Sequence, residues 1–307
     1  MRVASALVAL GAALAFGCGA SAAPAKKRPA PRIVARIHVG AEPTGLALGP
    51  GALWAVNWGD GSVERIDPSR NRAIGRIELG DSPYAASYGA ESLWVSSFDG
   101  STVTRIDPAT SRILARIEVG QEQAGILATD TAVWVAVFGQ GEVVRIDPAT
   151  NAVTARIHLG GNPEDIALTA TAAWVPNENG TVARIDPAAN TVVARIRVGA
   201  DPDYVILCRG HLWVSSLQGP RMSLIDVTSN RVVARPRIGL GTVGIGCGRN
   251  VWVANYDTGQ ILRLDPRTRK VTGRKFVGRQ ARAVVITPGS VWVASQAPGT
   301  VVRLRDR

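Results

Sequence analysis

The sequence predicts an all-β protein: a seven-bladed β-propeller with four antiparallel strands per blade, in which an N-terminal strand closes the last blade. Tryptophan recurs at spacings of 39 or 40 residues, at positions 54, 94, 134, 174, 213, 252 and 292. Each copy lies in a strand-like segment that a tight turn joins to a second strand, as in residues 251–265, VWVANYDTGQILRLD. A fixed period near 40 with strand patterns and no helical pattern is typical of propeller blades.

The first complete repeat shows how one blade is built. Strands are predicted over residues 44–48, 53–57, 62–67 and 73–79, and the second carries the tryptophan. The pair Asp60-Gly61 predicts a hairpin turn between the second and third strands. Asp67-Pro68 predicts the next turn, because aspartate accepts hydrogen bonds from the following backbone and proline presets φ.

The two ends of the repeat region predict ring closure. Residues 32–40, RIVARIHVG, read as a fourth strand with no blade before it. The last unit has three strands, over residues 283–286, 291–295 and 301–304, and then the sequence stops. The N-terminal strand should therefore complete the last blade and leave no long open edge. We expect residues 32–307 to form a single domain.

The first 22 residues resemble an export signal. Arg2 precedes an apolar run over residues 3–17. Ala20-Ser21-Ala22 matches the pattern of small residues that a signal peptidase recognises at its cleavage site. The alternative is a lipoprotein signal with lipid attachment at Cys18, which would be the protein's contact with a membrane. Residues 23–31, APAKKRPAP, are predicted to be an extended, unpacked linker. Either reading predicts an exported protein, in the periplasm or at the cell surface.

The net charge of +11 raises the question of a polyanionic partner. Many of the arginines recur at two fixed repeat positions, which spreads them around the predicted ring instead of clustering them. We therefore expect a solvated, partly self-paired outer surface, and binding to nucleic acid or an anionic surface is a secondary hypothesis. The two sets are Arg36, Arg76, Arg116, Arg156, Arg195, Arg235 and Arg274, and Arg65, Arg105, Arg145, Arg184, Arg263 and Arg303.

The repeat words resemble those of the YVTN-type propeller repeat of the YncE-like family. The words LWAVN at 53–57 and VWVAN at 251–255 stand where that family has its YVTN word. RIDPAT at 105–110 and 145–150 stands for its turn, and VVARIRVG at 192–199 for its outer strand. The resemblance covers residues 32–307 and implies a seven-bladed, usually secreted propeller. A more distant resemblance is to streptogramin B lyases, which use histidine and a metal.

The residues that such chemistry requires do not converge in this sequence. His38 and His158 share one outer-strand position, and His211 precedes a tryptophan strand. A general base or a zinc site would need histidines directed at the central channel. Residues 239–244, GLGTVG, have the glycine spacing of a dinucleotide-binding motif. That motif requires a helix directly after the glycines, whereas a strand is predicted here. We predict no catalytic residues, no metal site and no cofactor.

Cys208 and Cys247 each lie five residues before a repeat tryptophan, so they occupy equivalent positions in adjacent blades. An oxidising compartment would permit a disulfide if their Cα atoms lie within about 7 Å of each other. The alternative interpretation is that both positions take a small residue because little space is available there. The sequence leaves the disulfide and this alternative open.

Variation between repeats predicts a binding face. The loops from strand four to strand one and from strand two to strand three fall on one face of a propeller, around the mouth of its channel. Exposed aromatic rings beside charged groups on such loops are typical of recognition surfaces. The candidate residues are Trp58, Tyr84, Phe98, Phe138, Glu164, Asp165, Asp203, Tyr204, Tyr256 and Arg282.

The same loops also carry several other carboxylates, so this face should favour a cationic or polar partner. The leading functional hypothesis is an exported, non-enzymatic, monomeric propeller that binds a protein, peptide or small polar ligand at this face. A propeller enzyme, of the streptogramin lyase or another type, is the alternative.

Overall fold

The structure, a computed structural model, describes residues 29–305, and it confirms the predicted seven-bladed propeller. Seven antiparallel sheets of four strands each account for all the described strands. The predicted signal, the Cys18 alternative and most of the linker lie outside the described residues. Within residues 29–305 there is no helix with the length and apolar character that a membrane crossing requires.

Each of the first six blades uses four consecutive strands. Blade 1 contains β2 (Pro43–Gly49), β3 (Ala52–Asn57), β4 (Ser62–Asp67) and β5 (Arg72–Glu78). Blade 2 contains β6 (Pro83–Gly89), β7 (Ser92–Ser97), β8 (Thr102–Ile106) and β9 (Ile113–Glu118). Blade 3 contains β10 (Gln123–Ala128), β11 (Val133–Val137), β12 (Glu142–Asp147) and β13 (Ala152–His158), with one 3₁₀ turn at Phe138–Gln140. Blade 4 contains β14 (Ala167–Thr169), β15 (Ala172–Asn177), β16 (Thr181–Asp186) and β17 (Thr191–Arg197).

The remaining blades follow the same order until the ring closes. Blade 5 contains β18 (Pro202–Cys208), β19 (His211–Ser216), β20 (Ser223–Asp226) and β21 (Arg231–Ala234). Blade 6 contains β22 (Thr242–Cys247), β23 (Val251–Asn255), β24 (Gln260–Leu264) and β25 (Val271–Phe276). Blade 7 contains β26 (Arg279–Thr287), β27 (Ser290–Ala297), β28 (Thr300–Arg305) and the N-terminal strand β1 (Ile33–His38).

Ring closure follows the prediction from the ends of the repeat region. β1 pairs antiparallel with β28, from Ile33 opposite Leu304 to His38 opposite Thr300. The N-terminal strand is thus the outermost strand of blade 7. Because one blade takes strands from both ends of the repeat region, neither end leaves an unpaired inner strand.

The core lies between adjacent blades, and the repeat tryptophans occupy it. Trp54 of blade 1 packs with Leu93 and Val95 of blade 2, and Trp94 of blade 2 packs with Val133 and Val135 of blade 3. All seven repeat tryptophans are at most 2% exposed. Truncating such a residue typically costs about 3–5 kcal/mol, so the tryptophan ring supplies structure and no binding surface.

The two recurrent sets of arginines differ in exposure, and only one of them departs from the expected solvated surface. The set that begins with Arg65 lies in the third strands and is partly or fully buried: Arg105 is the cross-strand partner of Trp94, and its guanidinium carbon lies 4.8 Å from the ring centroid. Arg105 also donates to the carbonyl oxygen of Pro148 at 2.6 Å and to the side chain of Asn151, both in the next blade. Arg303 makes the corresponding bonds to Pro68 and Asn71 in blade 1.

The set that begins with Arg36 lies in the outer strands and faces the preceding blade. Arg116 donates to the carbonyl oxygen of Leu79 at 2.8 Å, and Arg195 donates to that of Leu159 at 2.9 Å. Arg36 does the same to Val277 across the closure of the ring.

The prediction of a solvated, partly self-paired surface is confirmed for these outer-strand arginines, because they are exposed and Arg76 and Arg156 form ion pairs with Glu78 and Glu142. The prediction did not include their second role: several of them also join neighbouring blades, because each guanidinium carries several donors that can satisfy unpaired turn and strand carbonyls.

The end of the predicted linker is also packed. The carbonyl oxygen of Pro29 accepts a hydrogen bond from Nη2 of Arg263 at 3.0 Å. The ring of Pro31 lies so close to Gly273 that a Cβ there would be 2.9 Å from it. Residues 29–31 thus contact blade 6, and the expectation of an unpacked segment was wrong for them.

Candidate functional site at the mouth of the channel

The mouth of the central channel is ringed by one repeat position. It is the fifth residue of each repeat, counted from the glycine that ends the preceding outer strand, and it comes at or near the start of the innermost strand. Its seven occupants are Thr44, Tyr84, Ala124, Glu164, Asp203, Val243 and Arg282. Five of them line one cavity of about 350 Å³, together with aromatic and acidic residues of neighbouring loops. The occupants of this ring range from apolar to acidic and basic residues.

The following repeat position brings the inner strands of adjacent blades into contact. The amide of Gly125 donates to the carbonyl oxygen of Glu164 at 2.8 Å, and a Cβ on Gly125 would lie 2.7 Å from that oxygen. Gly45 is equally close to the carbonyl oxygen of Tyr84, which also accepts a hydrogen bond from the hydroxyl of Thr44 at 2.6 Å. Glycine is needed here because backbone approaches backbone. The ring positions are therefore held by main-chain contacts.

Blade 4 departs from this pattern and places an acid in the channel. Pro163 bridges to Asn177, but the regular strand β14 begins only at Ala167. In the irregular stretch between them, Asp165 takes the place of the small residue, and its Oδ2 accepts a hydrogen bond from the amide of Val205 in blade 5 at 3.0 Å. Burial raises the pKa of Asp165 to about 6, although the amides of Val205 and Ile166 favour the ionised form.

Glu164 and Asp203 form an acidic pair in the mouth. Burial raises the pKa of Glu164 to about 9, and the neighbouring carboxylate of Asp203 adds to the effect. Burial likewise raises the pKa of Asp203 to about 7, while Arg282 opposes the rise. Asp201 lies at the rim, where burial and then Glu178 raise its pKa. Several carboxyl groups thus share one low-dielectric site, and they resist full ionisation together.

Arg282 faces these acids from blade 7. Its Nη2 donates to the hydroxyl of Tyr84, and its guanidinium carbon lies 4.9 Å from the centre of the tyrosine ring. Its Nε is buried and has no hydrogen-bond partner. Burial alone would lower the pKa of Arg282, but the surrounding tyrosines and carboxyl groups outweigh it and raise the pKa, so the guanidinium stays charged.

Aromatic side chains of blades 1, 2 and 3 form a cluster beside the acidic pair, which we call the aromatic wall. The ring of Trp58 lies 6.1 Å from that of Tyr84 in an edge-to-face arrangement, and Phe98 lies 5.3 Å from Tyr84 and 6.1 Å from Phe138. Such distances are favourable for aromatic pairs. The predicted candidates Trp58, Phe98 and Phe138 thus form one surface next to the acidic pair.

The other predicted residues take different places around the channel. Tyr256 lines the mouth, and its hydroxyl accepts a hydrogen bond from Nε2 of Gln280 at 2.8 Å. Tyr204 and Asp165 lie below the mouth, in a second cavity of about 160 Å³ that they share with Tyr84, Glu164 and Asp203. The structure therefore brings all ten predicted residues to one end of the channel.

A wider groove continues from the mouth over the rim of blades 4 and 5. It encloses about 800 Å³ and shares Glu178, Asp201 and Gln218 with the mouth cavity. Sequence reasoning did not select Glu178, Gln218 or Gln280 as site residues. Alignment by repeat position could have pointed to Gln280, which occupies the same position as Asp201, Glu42 and Glu122. The exposed loop carrying Gln218 gives no comparable signal.

The two aligned cysteines are joined in the structure. Cys208 and Cys247 form a disulfide between the inner strands of blades 5 and 6, with their Cα atoms 5.7 Å apart. They lie at the ends of β18 and β22, far along these strands from the ring at the mouth. The disulfide thus fixes the opposite end of the channel wall.

The mouth cavity contains no histidine among the described residues that line it. Among residues 29–305 there is no group of three or more histidine, cysteine, aspartate or glutamate residues arranged to hold a metal ion. His158 approaches Glu142 on the outer strands of blade 3, and Nδ1 of His211 lies 3.3 Å from the carbonyl oxygen of Arg209. The mouth can therefore offer carboxyl groups, tyrosine hydroxyls, one guanidinium and aromatic faces to a ligand.

Comparison with known protein families adds one similarity in sequence. Residues 34–183 match the family model of glutamine cyclotransferase. The matched segment is slightly less than half of the 307 residues. It includes Tyr84, Glu164 and Asp165, whereas Asp203, Tyr204, Tyr256 and Arg282 lie beyond it. No curated protein matches the chain in a sequence search.

Solved structures share the fold. Hydrazine synthase from Kuenenia stuttgartiensis superimposes with a TM-score of 0.78 over 87% of this chain and 96% of the matched chain. The two sequences are 15% identical in that alignment. At this identity the likeness shows a common propeller architecture and carries no information on activity.

Proposed function

We propose that this protein is a binding protein whose channel mouth takes the cationic, amine-bearing end of a polar ligand. The observation that carries the proposal is the acidic pair of Glu164 and Asp203, which shares the mouth with further carboxyl groups and one guanidinium. Their raised pKa values mean that the folded protein holds carboxyl groups in a place that disfavours their ionisation. A bound cation would supply the missing counter-charge.

The aromatic wall supports the same class of ligand. Trp58, Tyr84, Phe98 and Phe138 present ring faces and edges within one connected surface. Ring faces attract ammonium groups, by about 0.5–2 kcal/mol according to the degree of desolvation. A ligand that places its ammonium group near the acids and its carbon chain on the rings would use both features.

The wider groove indicates that the ligand extends beyond the mouth. Its residues Asn179, Thr181, Arg197 and Gln218 offer donors and acceptors to a polar chain. Because the groove and the mouth share Glu178 and Asp201, one ligand can occupy both. A short peptide or a polyamine has the required length and polarity.

Calorimetric titration of residues 29–307 with spermidine, with lysine-rich tripeptides and with their acetylated forms tests the proposal. We expect saturable binding of the free amines at pH 8 and at least tenfold weaker binding of the acetylated peptides. Glu164→Gln and Asp203→Asn should each weaken amine binding about tenfold, as expected for loss of a charge-assisted contact.

Glu122→Gln is the matched control, because Glu122 lies on the same face but is exposed outside the mouth cavity. Equal weakening by Glu122→Gln would show that only the overall charge of the face matters and would overturn the proposal. Failure of every amine to bind would overturn it as well.

A second candidate function is enzymatic, and the glutamine cyclotransferase match over residues 34–183 favours it. Cyclisation of an N-terminal glutamine forms a bond between its α-amine and its side-chain carbonyl carbon and releases ammonia. A group that moves the amine proton to the departing ammonia assists both steps. Glu164, whose pKa of about 9 keeps it protonated at neutral pH, stands in the mouth where it could serve as this group.

Ammonia release from a peptide with N-terminal glutamine distinguishes the two candidates. Turnover by the wild-type chain that Glu164→Gln abolishes and Glu122→Gln retains would establish the enzyme. Binding of the peptide without ammonia release would support the binding protein.

The finer assignment to the YVTN-type repeat family rests on the repeat words alone. Export to the periplasm or cell surface, by simple cleavage or with lipid attachment at Cys18, is likewise our proposal from the N-terminal sequence.

A further inference from the structure

The face opposite the mouth has the opposite charge in three of its blades. It is formed by the turns between strands one and two and between strands three and four. In blades 5, 6 and 7 these turns and the adjoining strand ends define a basic patch. Its members are Arg32, Arg209, Arg231, Arg249, Arg267, Arg269, Lys270 and Arg305, of which all but Arg269 are exposed.

The carboxylates within this patch are engaged by the backbone. Asp226 accepts hydrogen bonds from the amides of Thr228 and Ser229, at 3.2 and 2.7 Å. Asp265 accepts them from the amides of Arg267 and Thr268, at 2.8 and 3.1 Å. Among residues 29–305, the patch thus has eight basic side chains and two carboxylates, and both carboxylates cap turns.

The equivalent turns of blades 1, 2 and 3 are not basic. Arg70, Arg72 and Arg112 are accompanied there by Glu91 and Asp130 and by the turn carboxylates Asp67, Asp107 and Asp147. Arg70 forms an ion pair with Asp67 at 2.7 Å. The excess of positive charge is therefore local to one side of this face and is not a consequence of the repeat.

Contacts between blades make the patch continuous. Nη2 of Arg209 donates to the carbonyl oxygen of Arg249 at 3.2 Å, and the Cys208–Cys247 disulfide joins the same two turns. At blade 7, the amide of Arg305 donates to the carbonyl oxygen of Arg32 at 3.1 Å. The basic side chains project from a rigid base.

The N-terminal segment leaves the propeller at this same patch. Pro29 is held by Arg263 of blade 6, and β1 runs from there to the outer edge of blade 7. The three residues that precede Pro29 in the sequence are Lys26, Lys27 and Arg28.

We propose that the basic patch docks on the surface of an anionic lipid bilayer and turns the acidic mouth away from it. Clustered arginine and lysine side chains on turn tips fit a surface of phosphate headgroups. The patch turns of blades 5 and 6, at residues 209–210, 227–231, 248–250 and 265–270, contain no phenylalanine, tyrosine or tryptophan, so they lack the rings on which single-stranded nucleic acid stacks.

Co-sedimentation of residues 29–307 with vesicles tests the proposal. These residues include all seven sheets, and folding is verified by circular dichroism and thermal unfolding. We expect binding to vesicles of 30% phosphatidylglycerol in phosphatidylcholine, no binding to pure phosphatidylcholine, and release at 0.5 M salt. Arg231→Gln/Lys270→Gln should lower the partition coefficient roughly ten- to thirtyfold.

Arg72→Gln/Arg112→Gln is the matched control, because these arginines occupy the same repeat position as Arg231 and Lys270 and are also exposed. It should retain wild-type binding. Equal loss in the two double variants, or absence of binding to the anionic vesicles, would overturn the proposal. Tighter binding to a DNA duplex than to the vesicles would assign the patch to nucleic acid and overturn it too.

Discussion

Arg282 of blade 7 donates a hydrogen bond to the hydroxyl of Tyr84 of blade 2, over the mouth of the channel. The two residues are 198 positions apart in sequence, and blade 1 lies between their blades. Arg282 is the only basic side chain among the described residues that line the mouth cavity. The contact positions this cation over a tyrosine ring and opposite the acidic pair.

Arg282 should therefore control the protonation of the acidic pair. Its charge lowers the pKa of both Glu164 and Asp203. In Arg282→Met we expect both carboxyl groups to titrate at higher pH, by about one unit or more, while Arg282→Lys retains most of the effect. Carbon-13 NMR of labelled aspartate and glutamate measures the shift. Unchanged titration in the methionine variant would contradict the assigned arrangement.

Glu164→Gln should stabilise the protein at alkaline pH. The pKa of Glu164 is about 9 in the folded protein and is ordinarily 4.5. Between these values the unfolded chain has lost the proton that the folded chain retains, so stability falls as pH rises through the window. The glutamine variant escapes this loss.

Thermal unfolding measures the effect of this substitution. The melting temperature of Glu164→Gln should exceed that of the wild type at pH 8–9 and approach it at pH 5. Each pKa unit corresponds to about 1.4 kcal/mol, and each 1 kcal/mol shifts the melting temperature by about 2–4 °C in a domain of 150–250 residues. Glu122→Gln should show no such pH-dependent difference. A constant offset at all pH values would point to packing instead of ionisation.

Reduction of the Cys208–Cys247 disulfide should destabilise the propeller. The bond closes a loop with a sequence separation of 39 residues. In the chain-entropy account, such a loop is worth about 4 kcal/mol. We expect a lower melting temperature in reductant, and no response to reductant in Cys208→Ala/Cys247→Ala. Mass spectrometry that finds two free thiols in the oxidised protein would rule the bond out.

Arg105→Gln should destabilise the junction between blades 2 and 3. The substitution removes hydrogen bonds to Pro148 and Asn151 and the contact with the Trp94 ring. Hydrogen bonds made by charged groups contribute about 1.5–3 kcal/mol each, so we expect a loss of at least about 2 kcal/mol in chemical denaturation. Arg112→Gln, an exposed arginine of the same blade, serves as the control and should change stability little. Equal effects would mean that the inter-blade bonds contribute nothing.

Gly125→Ala should disturb the mouth without altering any of its side chains. The added Cβ would lie 2.7 Å from the carbonyl oxygen of Glu164 and from Cα of Asp165, so the backbone of blade 4 must move. We expect about tenfold weaker binding of amines, together with lower stability. Gly75→Ala, where the nearest atom would be 3.9 Å away, should leave binding unchanged. Titration calorimetry of the two variants provides the comparison.

The sequence by itself determined the strands, their order and the closure of the ring. Strand bounds in blade 1 agree with the predicted ones to within one residue, because alternation and turn residues act locally. Ring closure was predictable because one strand was surplus at one end and missing at the other. The candidate residues at the mouth were also found in the sequence, since they lie at positions that vary between repeats in the loops of one face.

Only the tertiary structure decided what these residues and the arginines contact. In sequence, Arg105 looks like any exposed cation, and its role depends on the turn of the next blade, 43 residues later. Glu164, Asp203 and Arg282 come from three blades, and closure of the ring alone places them in one cavity. Their protonation depends on that shared burial, which no local pattern encodes. Periodicity thus specifies the scaffold, whereas the chemistry of the mouth arises from groups that meet only when the scaffold closes.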